Sequence, residues 1–174
     1  MDKAAVTSAA APTAAGPYSP ALRVGDWLFL SGQGGFDPAT GALIGATIEE
    51  QTQQTFRNIS ALLEAAGHDL GDVVSCLVHL SDLSLFGRFN TVYERHFDEP
   101  RPVRTTVGAS LVADMLVEVT VVAHRHSENR AAGRCPRLAE SGCAPHQRSL
   151  PGEGAGAALD EAAQPLGRRR PGGF

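Results

Sequence analysis

The apolar positions change period along the chain and mark out a short series of elements. Ala21-Leu22-Arg23-Val24 and Trp27-Leu28-Phe29-Leu30-Ser31 are separated by Gly25-Asp26. This predicts two short strands joined by a two-residue turn. Asp37-Pro38-Ala39-Thr40-Gly41 is loop chemistry, because Pro presets one dihedral and Gly accepts a positive φ. From Thr47 the period becomes helical. Ile48, Thr52, Phe56, Ile59, Leu62, Leu63 and Ala66 recur on one stripe, while Glu49, Gln53, Gln54 and Arg57 take other faces. Thr47 and Glu50 fit a capping box, and Gly67 fits the stop after the last turn.

Val73 to Leu80 reads as a strand. Ser81 or Asp82 can cap a second helix running to about Phe97, with Phe86, Phe89, Val92, Tyr93 and Phe97 as its buried stripe. Two strands follow, Val103 to Ala109 and Met115 to His124. In the last, Val117, Val119, Val121 and Ala123 alternate with Glu118, Thr120, Val122 and His124, the pattern of a sheet with one face in the core. The order ββαβαββ predicts an α+β domain: a single mixed sheet covered on one face by two helices.

Residues 1–15 are Ala-rich without a periodic pattern and are expected to form a flexible arm. Residues 126–174 contain no Val, Ile, Trp, Tyr or Met and are rich in Gly, Pro, Ala, Ser and Arg. Such a segment cannot bury enough apolar surface to offset its ordering entropy, so it is expected to be disordered. It is either an added extension or the product of read-through in another frame. The ordered domain is therefore expected over 16–125.

Charge follows the same division. Residues through Arg125 carry 8 basic and 14 acidic side chains; those after it carry 7 and 5. A domain of net −6 is a poor electrostatic match for nucleic acid. Cys76, Cys135 and Cys143 make no disulfide framework, and Cys135, Cys143 and His146 fall short of the four closely spaced ligands of a closed zinc site. No apolar run approaches the roughly 18 residues of a membrane span, and the first residues lack the form of a secretory signal. A cytoplasmic location is the expectation.

Several stretches resemble the Rid family of reactive-intermediate imine deaminases. They are Gly16-Pro17-Tyr18-Ser19, Leu30-Ser31-Gly32-Gln33, Asp37-Pro38-Ala39-Thr40-Gly41, Gln51-Thr52, Asn90-Thr91-Val92-Tyr93, Pro102-Val103-Arg104 and Val117-Glu118-Val119, in family order over 16–125. The resemblance implies a chorismate-mutase-like fold. It also implies a homotrimer whose sheets line a barrel, with one site at each subunit interface. Val122 and Thr105-Thr106 suit such a partly buried interface. The activity implied is hydrolysis of 2-imino and enamine acids to 2-keto acids and ammonia, without a metal or organic cofactor.

That substrate class carries a carboxylate beside an imine carbon. An arginine holds a carboxylate with two parallel hydrogen bonds, which a lysine does not; the family's arginine matches Arg104. One carboxyl group can position the water and move protons; the family's glutamate matches Glu118. Tyr18, Ser31 and Gly32 match further site positions, and Asn90 and Tyr93 lie one helical turn apart beside them in the motif. Thr106 stands where many family deaminases have Cys. Two other functions fit the same residues: a related hydrolase acting on an aminoacrylate- or aminomuconate-type acid, and a non-enzymatic ligand-binding or regulatory trimer.

Overall fold

A computed structural model of the chain describes residues 2–125. The expected disorder of 126–174 and the Cys135, Cys143 and His146 spacing lie outside the described residues. The strands are β1 Lys3–Val6, β2 Ala21–Val24, β3 Trp27–Leu30, β4 Val73–Leu80, β5 Val103–Gly108 and β6 Val117–His124; the helices are α1 Ile48–Ala65 and α2 Phe86–Tyr93. They form one sheet in the order β1-β2-β3-β6-β4-β5. Every pairing is antiparallel except β4 with β5. A parallel pair needs a crossover connection, and α2 lies in it.

The order is the expected ββαβαββ preceded by one more strand. Lys3–Val6, read as part of an arm, pairs along its length with β2. Ala11, in the same stretch, is buried in the core at 4% exposure. A four-residue edge strand of small side chains has no alternation strong enough to read, and its partner alone makes it a strand. The second helix is also shorter than expected. Leu83–Leu85 and Glu94–His96 are 3-10 turns flanking α2, whose second residue is the poor helix former Gly87.

The Thr47 hydroxyl accepts from the Glu50 amide, and the Glu50 carboxylate accepts from the Thr47 amide in return. Gly67 ends the helix at φ 75°, where a side chain would be strained. Phe56, Ile59, Leu62 and Leu63 of α1 are at most 1% exposed and press on Val117, Val119 and Val121 of β6, which are fully buried. Gln54, expected on an outer face for its polarity, differs. It is buried, and its amide nitrogen donates to Asn58 Oδ1.

The opposite face of the sheet is open. Trp27, Phe29, Leu77, Val103 and Val107 remain between 38% and 71% exposed there. Val122 and Thr105 share this face, as expected. Thr106 does not: it is paired with Val78, a core residue, and turns to the helix side.

Candidate active site

The alternation of β6 sets Glu118 on the open face, between buried Val117 and Val119. Two neighbours flank it. Past Leu30 the chain leaves β3 but returns to β6 through reciprocal backbone hydrogen bonds between Gln33 and Val119, both 2.9 Å. This lays Gly32 on the Glu118 side chain. A Cβ at position 32 would stand 2.5 Å from the carboxyl carbon and 2.6 Å from Oε1. On the other flank, the β4–β6 register puts His79 directly opposite Glu118, with Nδ1 3.6 Å from Oε1.

Glu118, Gly32 and Tyr18 line a cleft of about 590 Å³ whose apolar wall includes Phe36, Pro38, Val112 and Met115. Tyr18 is half-exposed, and its hydroxyl accepts from the Ala15 amide at 3.3 Å. Ser31 stands behind the cleft: its hydroxyl donates to the Ser19 carbonyl at 2.8 Å and so ties down the loop carrying Tyr18.

Buried amides of α1 fix the walls. Asn58 Nδ2 donates to the carbonyls of Gly34 and Phe36 at 2.9 and 2.8 Å. Gln51 Oε1 accepts from the Leu116 amide at 2.8 Å. Asn58 carried no sequence assignment; the available signal was an amide close to the apolar stripe of a helix.

Arg104 occupies a different place. It is paired with buried Cys76 on β4, whereas Glu118 is paired with His79, three residues on. Side chains alternate along a strand, so Arg104 and Glu118 point to opposite faces of the sheet. Arg104 lies under α2, where its guanidinium carbon sits 4.4 Å from the ring centre of Tyr93 and 5.5 Å from that of Phe86. Nη1 donates to Asn90 Oδ1 at 2.9 Å. Among the described residues no carboxylate is within ion-pair distance of it. Its charge is thus steadied by aromatic faces and one amide, with no counter-ion.

Around this socket the Tyr93 hydroxyl and Thr106 Oγ1 are buried without hydrogen-bond partners. Burial, and then the nearby Cys76 thiol, push the Tyr93 hydroxyl well above its ordinary ionisation range. Burial likewise pushes the Cys76 thiol up. Both are neutral packing groups at physiological pH.

The structure therefore groups the expected residues in two sets. Tyr18, Gly32 and Glu118 meet at the cleft, with Ser31 supporting them. Arg104, Asn90, Tyr93 and Thr106 meet behind the sheet. One chain does not bring the sets together. Among the described residues there is no cluster of three or more His, Cys, Asp or Glu able to hold a metal ion, and no helix is long and apolar enough to cross a membrane.

These features define a class: a small α+β protein with a carboxylate-bearing cleft on one sheet face and an unpaired arginine behind the other. A family profile described as Endoribonuclease L-PSP matches residues 8–125, and the chain belongs to this family, also known as Rid or YjgF. It is 48% identical over 116 residues to a RutC family protein of Saccharolobus solfataricus, covering 66% of this chain and 92% of that one. It is 36% identical over 124 residues to Reactive Intermediate Deaminase A, chloroplastic, of Arabidopsis thaliana, covering 71% and 66%. Its fold is similar to that of E. coli TdcF with bound serine, with a TM-score of 0.67, 33% identity, and coverage of 71% and 99%.

Proposed function

We propose that the protein hydrolyses reactive 2-imino and enamine acids to 2-keto acids and ammonia, at sites shared between two copies of the chain in a homotrimer. The observation carrying this reading is Arg104: a guanidinium held by Tyr93 and Asn90 with no carboxylate beside it among the described residues. Such a fork is arranged for the carboxylate of a ligand. The named deaminase relative and the serine-bound structural relative both act in favour of an amino-acid-like substrate.

The chemistry needs a water at the imine carbon and a proton at its nitrogen. Glu118 accepts a proton from the attacking water as the C–O bond forms, and returns it to nitrogen. The carbinolamine then collapses: Glu118 carries its hydroxyl proton to the amino nitrogen, the C–N bond breaks as ammonia leaves, and the carbonyl forms. Tyr18 and the apolar wall hold the substrate's side chain, and Thr106 Oγ1 offers a hydrogen bond near the carboxylate. Because Arg104 and Glu118 face opposite sides of the sheet, one copy supplies the arginine and its neighbour the glutamate. The exposed apolar open face supplies the surface for that association.

A mixing experiment tests this. Arg104→Ala and Glu118→Gln are each expected to be inactive on 2-iminopropanoate generated in situ. Unfolded together and refolded at equal amounts, they should regain about a quarter of native activity, the statistical share of sites with one intact residue from each copy. Native activity in either single variant, or no recovery on mixing, refutes the shared site. Activity confined to longer or cyclic conjugated acids would instead favour the related-hydrolase reading.

A further inference from the structure

We infer that His79 is a positioning residue for Glu118, so that the working acid–base group is a cross-strand His–Glu pair rather than a lone carboxyl. This rests on the catalytic role proposed for Glu118. The geometry is specific. His79 and Glu118 are directly opposed on antiparallel strands, where side chains on one face come closest. Nδ1 is buried, has no hydrogen-bond partner, and lies 3.6 Å from Oε1. Gly32 presses on the same oxygen from the far flank. The carboxyl is thus confined between a backbone and an imidazole. A shift of roughly 0.4 Å would bring Nδ1–H and Oε1 within hydrogen-bond range.

Other groups on this face leave the pair undisturbed. His79 is flanked by Leu77 on its own strand, Val107 on β5 and Thr120 on β6. Glu118 is the one carboxylate within 4 Å of it among the described residues. His124, further along β6, packs on Trp27 with ring centres 4.5 Å apart. Arg104 is on the opposite face. An Nδ1–H aimed at Oε1 holds the carboxyl in one orientation for proton transfer.

The test uses the full chain with His79→Leu, which removes the donor, and His79→Asn, which keeps an N–H in a similar place. Thermal melting confirms that each is folded. On 2-iminopropanoate, His79→Leu is expected to lower kcat about tenfold to a hundredfold with KM within about twofold, and His79→Asn to recover part of that loss. Equal losses of kcat in His79→Asn and His79→Leu, or a rise in KM in place of the fall in kcat, overturn the pairing. If Glu118→Gln is inactive while His79→Leu is native, His79 alone is excluded. Native activity in Glu118→Gln rejects the catalytic role of Glu118 and the pair with it.

Discussion

Gly32→Ala adds one methyl group at the point where the backbone passes over the Glu118 carboxyl. That methyl would stand 2.5 Å from the carboxyl carbon and 2.9 Å from Cγ. Ordinary carbon–carbon contact is about 3.5 Å, so the carboxyl has to retreat by roughly 1 Å. It can do so, because it is the end of a partly exposed side chain. The backbone need not move, and Gly32 is not among the glycines at positive φ. Folding stability should therefore change little, since alanine also reduces the freedom of the unfolded chain by about 0.4–1 kcal/mol. Catalysis should suffer, because a misplacement of about 1 Å at a reacting group costs on the order of 100-fold. The assay pairs urea unfolding with kcat on 2-iminopropanoate. Gly35→Ala is the control: its Cβ would meet the backbone of Gln51 at 3.0 Å, inside a helix that cannot yield, so it should lose stability. Native kcat in Gly32→Ala, or a loss of stability matching that of Gly35→Ala, refutes the claim that Gly32 exists to seat the carboxyl.

Two further outcomes follow from the fold. Thr47→Ala removes the α1 cap and should lower unfolding free energy by about 1 kcal/mol, read as an earlier urea midpoint with unchanged slope. Burial holds His68 and His96 below the ordinary histidine range. The unfolded chain then binds more protons than the folded one below about pH 6.5, so stability is complete above that pH and is lost as pH falls. Each histidine contributes at most about 1.4 kcal/mol per pH unit, less where water reaches it. His96→Phe, which keeps the stack on Phe56, should flatten the stability loss between pH 7 and 5. An unchanged slope would place the proton uptake elsewhere.

The sequence carried most of the architecture because the relevant signals are local. The 3.6-residue stripe of α1, its Thr47–Glu50 cap, the Gly67 stop and the strict alternation of β6 all describe the chain against itself. The roles of Tyr18, Gly32, Arg104 and Glu118 came instead from the resemblance of their motifs to those of the Rid family. What tertiary structure alone decided is pairing. β1 became a strand because β2 offers it an edge, not through its own pattern. His79 acquired significance through a register that sets it across from Glu118, 39 positions later in the chain. Arg104 and Glu118 were expected together at a subunit interface, and strand parity in a mixed sheet sends them to opposite faces of one chain. Periodicity tells which residues share a face within one strand. Only the hydrogen-bonded register between strands tells which face of the neighbour they share, and that is fixed by contacts distant in sequence.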